Sequence, residues 1–269
     1  MIKYLNLGCG DCYFDHWMNC DFLPKPCVKA INLSKGLPFE NDSFDVSYSS
    51  HILEHFDPKV GERFIAEQKR VLKVGGVIRV VVPDLELICR RYISEIDEIE
   101  NNSSEKNFRN LKWMKLELLD QMTRSVSGGQ MRETLNSHDF NFDFVSNRIG
   151  DVILRSKSPP VVLTSNRSDV PGVRFKDSFY NKIYRRWLKT LMKLNPKSKD
   201  PRSTGEVHRW MFDRFSLKEL LKKFGFRDIR ACRFNESKIP DWDKQNLDIS
   251  LYGDFPRKPD SLFMEGIKN

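Results

Sequence analysis

A run of mostly β-branched residues, Val77-Ile78-Arg79-Val80-Val81-Val82, constrains the fold of this chain more than any other feature. An apolar run with little alternation is typical of a strand that is buried on both faces of a parallel sheet. A helical pattern precedes it, with Asp57 as the predicted N-cap, Pro58 at the first helical position and Gly75-Gly76 as the predicted end. Shorter strand-like runs lie at residues 4–7, 17–21, 28–33 and 44–49. Strands that alternate with helices predict an α/β fold with a mostly parallel sheet.

The first strand-like run ends in a Gly-x-Gly turn, Gly8-Cys9-Gly10. Glycine permits positive φ and lets backbone N–H groups approach a ligand closely. Tyr13 stands where a dinucleotide-binding motif needs its third glycine, and no Gly-Lys-Ser/Thr follows as in a P-loop. Ligands of parallel sheets bind at the carboxyl ends of the strands, where Asp21, Asn32 and Ser50 also fall. These positions predict a site for a ligand with an adenosyl or ribosyl group but no pyrophosphate.

The composition limits the partners and the compartment. The net charge of +8 indicates an anionic partner without selecting one. No apolar run reaches the roughly 20 residues that span a bilayer, and the first residues lack a signal-peptide pattern, so we expect a cytoplasmic protein. Cys9-x-x-Cys12 with Cys20 and Cys27 is compatible with zinc, but Cys9 lies inside the glycine turn and no second Cys-x-x-Cys follows. We therefore expect reduced thiols and no metal there.

Four stretches, in this order, resemble the motif series of class I S-adenosylmethionine-dependent methyltransferases, with the best match in the small type 11 group. They are Leu5–Gly10, Gly36–Val46, Leu53–His55 and Arg70–Gly76. The resemblance implies a Rossmann-like sheet, mostly parallel with an antiparallel last strand, and S-adenosyl-L-methionine as the cofactor. The cofactor-binding residues that it implies are Leu7, Gly8, Cys9, Gly10, Asp21, Asn32, Leu33, Ser50 and His51.

The resemblance also implies individual roles for these residues. The glycine turn would line the methionine moiety, Asp21 would accept hydrogen bonds from the ribose hydroxyls, and Asn32 and Leu33 would flank the adenine. The chain departs from the family at two points. The family more often has an acid at position 32, and the span from Gly10 to Asp21 leaves little room for the usual first helix. Asp21 is also compatible with a loop carboxylate that caps a turn.

A cluster of titratable residues, His51-x-x-Glu54-His55, follows the fourth strand, where the resemblance presents the methyl group. One helical turn would place the three side chains on one face. The letters match the inverted zinc-protease motif, but a protease would have no use for the cofactor loop. A histidine titrates near neutrality and suits a general base, so the candidate catalytic residues are His51, His55 and His208.

Two further interpretations of this cluster stay open. Some class I methyltransferases bind a divalent ion through Glu-x-x-Glu-His at this place. Here His51 replaces the first glutamate, so we expect no metal. Alternatively, Glu54 and His55 only hold the junction between strand and helix by hydrogen bonds.

The motifs divide the chain into three parts. Residues 1–95 form the cofactor-binding half of the core, residues 96–205 a mainly helical insertion that acts as a substrate lid, and residues 206–269 the part that completes the sheet with two antiparallel strands. Arg124, His138 and Arg209 are the candidate substrate contacts, and ordinary surface positions are the alternative for each.

Residues 179–194 place apolar side chains at helical spacing, with lysines and arginines on the other faces. Such a basic amphipathic helix is able to lie on an anionic membrane surface, which would put the protein peripherally at the inner membrane. It is equally typical of a helix that packs on the core with a solvated basic face.

Three C-terminal stretches resemble predicted methyltransferases encoded among surface-glycan biosynthesis enzymes. They are His208–Met211, Glu236–Pro240 and Arg257–Leu262. This resemblance implies O-methylation of a sugar, a nucleotide-sugar or a lipid-linked glycan, and the net charge suggests an anionic acceptor. The alternatives are a nucleic-acid methyltransferase, for which no RNA-binding module or Asn-Pro-Pro-Tyr-type motif is present, and a non-catalytic cofactor-binding scaffold. The oligomeric state does not follow from the sequence.

Overall fold

The computed structural model describes residues 2–153, 200–250 and 252–269. Within them, one seven-stranded sheet has the order β3-β2-β1-β4-β5-β7-β6. The strands are β1 (Tyr4–Leu7), β2 (Met18–Asp21), β3 (Val28–Ala30), β4 (Phe44–Ser50), β5 (Leu72–Pro83), β6 (Phe226–Cys232) and β7 (Ser261–Lys268). All neighbours from β3 to β5 pair in parallel, and β7 runs antiparallel to both β5 and β6. The expected Rossmann-like sheet with an antiparallel last strand is confirmed.

The strand pairing brings several chain segments to one edge of the sheet. Leu7 pairs with Cys20 and Ser49, so the glycine turn lies between the ends of β2 and β4. Pro83 at the end of β5 pairs with Ser261 at the start of β7. Because β7 runs in the opposite direction, its first residue reaches the same edge as the last residues of the parallel strands. This edge is where ligands of parallel sheets bind.

Helices cover both faces of the sheet and form a separate cluster above its carboxyl edge. They are α1 (Pro58–Val71), α2 (Leu85–Asn101), α3 (Glu105–Lys115), α4 (Gln121–Thr123), α5 (Gly129–Ser137), α6 (Phe142–Ile149), α7 (Pro201–Thr204), α8 (Arg214–Lys223) and α9 (Trp242–Gln245). A π-helical turn, Leu116–Asp120, joins α3 to α4. Short 3₁₀ helices follow β3 at Leu33–Lys35 and β4 at Leu53–His55.

The local signals that start helices are confirmed at α1. The Asp57 side chain accepts a hydrogen bond from the Val60 amide, and proline occupies the first turn. The predicted end of this helix is wrong, however. The helix stops at Val71, and Gly75-Gly76 lies inside β5, where Gly75 has a φ of 78°. A glycine at positive φ bends the strand as readily as it ends a helix.

Alternating side chains of the central strands divide the core into two layers. Leu5, Leu7 and Ile78 pack with α1 and α8 on one face. On the other face, Tyr4 and Val46 pack with the aromatic side chains of residues 14–17 and of α9. The sheet is therefore buried on both faces, as the Val77–Val82 run predicts.

The arginine that interrupts this run is the centre of a buried ion-pair network. Nε of Arg79 lies 2.8 Å from Asp248 Oδ2, and its Nη1 lies 2.8 Å from Glu265 Oε1. Its guanidinium also stacks on the Trp242 ring, 4.6 Å from the centroid. Asp248 in turn accepts a hydrogen bond from the Tyr48 hydroxyl at 2.6 Å. A buried charge needs such partners, and here they tie the C-terminal segment to β5.

The described part of the insertion is helical. Trp113 and Met114 of α3 pack with Ile88 of α2 and with α6. Helix α2 continues past residue 95, where the insertion was expected to begin. The basic stretch at residues 179–194, on which the membrane prediction rests, lies outside the described residues. Among the described helices, none has the length and hydropathy needed to cross a bilayer.

Candidate functional site

The two glycines of the turn differ in the space around them. Gly8 and Gly10 have positive φ values of 70° and 54°. A Cβ on Gly8 would lie 2.0 Å from Cδ1 of Ile52, whereas a Cβ on Gly10 would meet nothing within 4 Å. The amides of Gly8 and Cys9 both donate to the carbonyl of Cys20, at 2.8 and 3.1 Å. Gly8 is thus required for packing against Ile52, and Gly10 leaves open space for a ligand.

Asp21 braces the turn from the end of β2. The Gly10 amide donates to Asp21 Oδ2 at 2.7 Å. Lys25 closes the turn on its other side, since its Nζ lies 2.9 Å from the Gly10 carbonyl and 2.8 Å from Asp11 Oδ1. A carboxylate beside an open glycine face is able to accept hydrogen bonds from vicinal hydroxyls, as the predicted ribose role requires. The expected shortage of room for a first helix is confirmed, because residues 8–17, all of them described, form turns and one bridge.

Burial keeps the thiols of Cys9 in the turn and Cys20 in β2 protonated. It raises the pKa of the Cys9 thiol well above its usual value, and the charge of Asp21 acts in the same direction. Burial also raises the pKa of Cys20 to about 12.

The other predicted cofactor residues lie along the same edge. Leu7 is fully buried in β1. Asn32 is exposed and caps the 3₁₀ helix after β3, where its Oδ1 accepts from the Ser34 amide at 3.1 Å. Leu33 is partly buried against the core, and Ser50 ends β4.

His51 occupies a strained position directly after β4. Its φ is 55°, in the left-handed region that residues other than glycine rarely adopt. Its Nε2 lies 2.8 Å from Ser261 Oγ, and its Nδ1 lies 3.2 Å from Glu54 Oε1. Burial lowers the pKa of this imidazole well below its usual range, and the positive charge of Lys258 adds to the effect. His51 is therefore neutral at pH 7, as a general base must be.

Glu54 is buried without a proper partner. Its side chain is 0% exposed, and neither carboxyl oxygen has a hydrogen bond of good geometry within the described residues. The contact to His51 Nδ1 is close but poorly directed, and Nε2 of His55 lies 3.9 Å away. Burial raises the pKa of Glu54 to about 8. The expected single helical turn does not form here, because the 3₁₀ helix starts only at Leu53.

The C-terminal half carries His208 into contact with this cluster. The rings of His55 and His208 are 4.8 Å apart between centroids, at 79°. The His208 amide donates to the Gln121 carbonyl, and the Arg209 amide donates to the Glu54 carbonyl at 2.7 Å. Burial lowers the pKa of His55 to about 4 and that of His208 to about 2. The structure thus brings all three candidate bases and Glu54 to one place.

A cavity of about 560 Å³ opens beside His51, between the sheet edge and the helical cluster. Arg124 and His138, two of the predicted substrate contacts, line it. The third, Arg209, is not among its lining residues and donates from Nη2 to the Arg202 carbonyl. Neither the glycine turn nor Asp21 lines this cavity, so His51 is the residue that connects it to the predicted cofactor edge.

Sequence reasoning missed three residues of this region as site residues. Lys258 and Asp260 line the cavity, and Ser261 contacts His51. The sequence does point to these residues, because all three lie in the Arg257–Leu262 stretch that resembles glycan-associated methyltransferases. Arg132, which also lines the cavity, carries no comparable signal in the sequence.

A family model described as a methyltransferase domain matches residues 24–80. The match contains three of the four motif stretches, Gly36–Val46, Leu53–His55 and Arg70–Gly76, and starts after the glycine turn. No curated protein is significantly similar to the chain in sequence.

Several solved structures are similar to this chain. One is an S-adenosylmethionine-dependent methyltransferase from Thermotoga maritima, 12% identical over 99% of this chain and 82% of that one, with a TM-score of 0.37. Another, from Archaeoglobus fulgidus, is 10% identical over 99% of this chain and 86% of that one, with a TM-score of 0.39. A third, from Mesorhizobium loti, is 19% identical but aligns over 32% of this chain and 48% of that one, with a TM-score of 0.25.

The matched domain ends inside β5, so it spans the strand ends at which Asn32, Ser50 and His51 lie. The sheet around it has the parallel half and the antiparallel last strand that the motif series implies. With a methyltransferase domain in this setting, the chain is a methyltransferase that uses S-adenosyl-L-methionine.

Proposed function

We propose that this enzyme methylates a hydroxyl group of an anionic acceptor that contains a sugar, such as a nucleotide-sugar or a lipid-linked glycan. The acceptor would bind in the cavity beside His51. The position of His51 carries the proposal, because this residue follows β4 at the cofactor edge and also lines the cavity. A base at this position would lie between the methyl donor and the acceptor.

The residues at the sheet edge fit the cofactor. Gly10 faces open space, and the Asp21 carboxylate stands beside it to accept hydrogen bonds from the ribose. We assign the methionine moiety to Gly8, Cys9 and Gly10. The exposed Asn32 side chain would meet the adenine edge. When bound, S-adenosyl-L-methionine supplies a methyl group that its sulfonium charge has already activated.

His51 is the base that the geometry favours. Its Nδ1 faces the Glu54 carboxyl, which leaves Nε2 to take a proton. The Ser261 hydroxyl lies at this nitrogen, at the place where we expect the acceptor hydroxyl. The acceptor oxygen would form its bond to the methyl carbon as the carbon–sulfur bond breaks, and its proton would pass to Nε2. His55 and His208 are less suitable, since neither is among the residues that line the cavity.

The charge of the cavity supports an anionic acceptor. Arg124, Arg132 and Lys258 line it, against the single carboxyl of Asp260. Arg124 is already paired with Asp120 at 2.8 Å and Glu206 at 3.0 Å. Arg132 is exposed, with its Nη2 3.5 Å from Ser127 Oγ, and is the cation that we expect to meet a phosphate or carboxylate of the acceptor.

The sugar class rests on the resemblance of the C-terminal stretches. Residues of the Arg257–Leu262 stretch form part of the cavity wall, which puts the resembling residues where an acceptor would bind. The cavity volume is within the range of sites for small molecules, which favours a nucleotide-sized acceptor over a folded nucleic acid.

The test is methyl transfer from tritium-labelled S-adenosylmethionine to a panel of acceptors. The panel contains nucleotide-sugars, the same sugars without phosphate, and an RNA. We expect label in the nucleotide-sugars, in an alkali-stable ether linkage. Label in RNA would support the nucleic-acid alternative instead, and cofactor binding without any transfer would support the scaffold.

A matched pair of variants tests the charge argument. Arg132→Gln should raise KM for a phosphorylated acceptor about 10-fold or more, because a charge-assisted hydrogen bond contributes about 1.5–3 kcal/mol. Arg90→Gln removes a similarly exposed arginine from α2, outside the cavity lining, and should leave KM unchanged. Equal KM values for both variants would contradict the placement of the acceptor.

A further inference from the structure

Three side chains beside the cavity form a cluster of potential metal ligands. One ligand atom each from Glu54, His55 and His208 lies within 4.8 Å of the other two. The first two residues belong to the 3₁₀ helix after β4, and His208 comes from the segment after α7. Two imidazoles and one carboxylate are a donor set that divalent transition metals bind.

The backbone holds the two halves of the cluster together. The amides of Arg209 and Trp210 both donate to the Glu54 carbonyl, at 2.7 and 3.2 Å. The His208 amide donates to the Gln121 carbonyl at 2.9 Å. These bonds hold the segment that carries His208 against the 3₁₀ helix, and with it the three ligand atoms close to one another.

The orientation of His55 fits a metal ligand. Its Nδ1 lies 3.4 Å from the Val207 carbonyl, which places a proton on this nitrogen. Its Nε2 then carries the lone pair and faces Glu54 Oε1 at 3.9 Å. Metal-binding histidines generally donate their second N–H to a carbonyl or carboxylate in this way.

The burial of the Glu54 carboxyl also favours a cation at this place. A fully buried carboxyl without a well-directed hydrogen bond is costly, and native proteins rarely contain one without a reason. A cation between Glu54 and the two imidazoles would supply the missing partner. The neighbouring positive charges of Lys258 and Arg124 oppose a cation here, and the ligand carboxylate offsets part of that repulsion.

We propose that Glu54, His55 and His208 bind one divalent transition-metal ion, with Zn²⁺, Co²⁺ and Mn²⁺ as candidate ions. The site lies beside His51, whose Nδ1 is 3.2 Å from Glu54 Oε1, so a bound ion would also fix the carboxyl next to this imidazole. The inference goes beyond the proposed acceptor class and does not depend on it.

The test is binding of Co²⁺ to the purified full-length chain after treatment with a chelator. We expect one ion per chain by elemental analysis, visible d–d absorption without a sulfur-to-cobalt charge-transfer band, and a higher Tm that EDTA reverses. A sulfur-to-cobalt band would assign the ion to the cysteines, and no retained ion would exclude the site; either result overturns the proposal.

Variants assign the ligands. His208→Ala and Glu54→Gln should each weaken Co²⁺ binding more than about 100-fold, beyond the 10–100-fold that changes in outer-shell residues cause. His138→Ala removes a histidine that lines the cavity outside the cluster. This variant should bind Co²⁺ as tightly as the unaltered chain does. Unchanged binding by His208→Ala and Glu54→Gln would overturn the assignment. If either variant fails to fold, the spectrum and stoichiometry of the unaltered chain still decide the proposal.

Discussion

Nε2 of His51 lies 2.8 Å from the hydroxyl of Ser261, a contact that joins the end of β4 to the start of β7. The two residues are 210 positions apart in the chain. The contact places Nε2 beside the Ser261 hydroxyl, whereas Nδ1 lies beside the Glu54 carboxyl.

Replacement of His51 should slow methyl transfer without releasing the cofactor. We choose His51→Asn, because asparagine tolerates the positive φ of this position better than alanine does. Loss of a general base lowers kcat about 10²–10⁴-fold. The measurements are single-turnover methyl transfer and calorimetric binding of S-adenosylhomocysteine. Normal turnover in His51→Asn would exclude His51 as the base.

The pH dependence of the unaltered enzyme gives a separate test of His51. The base must be neutral, and burial lowers the pKa of His51 below its ordinary value of about 6.5. Protonation, and with it the loss of rate, should therefore occur only below that pH. We expect the loss of kcat that protonation of His51 causes to occur only in acidic buffer. A midpoint above pH 7 would point to a base in a different environment.

Asp21→Asn should weaken cofactor binding by about 10–100-fold, because hydrogen bonds to a charged group contribute about 1.5–3 kcal/mol. The variant also weakens the 2.7 Å bond that braces the Gly10 amide. Asp11→Asn is the matched control, since Asp11 lies in the same turn and pairs with Lys25. Calorimetry with S-adenosylhomocysteine measures both. Equal losses of affinity in the two variants would mean that the net charge of the turn sets cofactor binding, and that Asp21 makes no specific contact.

Gly8→Ala and Gly10→Ala should differ in stability. Both substitutions place a side chain at positive φ, which costs about 1–2 kcal/mol. Only the Gly8 methyl group would also collide with Ile52, which adds about 1–3 kcal/mol of overpacking. Urea unfolding should show the difference, and Ile52→Ala should partly rescue Gly8→Ala. Equal free energies of unfolding for the two single variants would contradict the packing at Gly8.

Asp248→Ala should destabilise the fold by about 3–5 kcal/mol. It leaves the buried Arg79 guanidinium short of one carboxylate and removes the acceptor of the Tyr48 hydroxyl. Glu219→Ala breaks the exposed pair with Lys222 in α8 and should cost less than about 1 kcal/mol. Urea unfolding measures both variants. A small effect of Asp248→Ala would mean that Glu265 and the surrounding carbonyls suffice for Arg79.

The sequence by itself determined the features that depend on neighbouring residues. The β-branched run at residues 77–82 predicts the buried strand, and Asp57-Pro58 predicts the start of α1. The glycine turn and the motifs after it indicate the cofactor, because the resemblance that implies it is carried by short segments of neighbouring residues. Element ends were harder to predict. Gly75-Gly76 has the chemistry of a helix end, and only the pairing of β5 with β4 and β7 shows that it lies within a strand.

The tertiary structure decided the contacts between distant segments. Only the insertion of β7 between β5 and β6 brings Ser261 to His51 and forms the wall of the cavity. The approach of His208 to Glu54 and His55 depends in the same way on backbone bonds between distant segments. Periodicity and spacing report which residues are buried along one element, but they contain no information about which elements meet. The cavity and the Glu54–His55–His208 cluster therefore follow from tertiary contacts between the sheet edge, the helical cluster and the segment after α7.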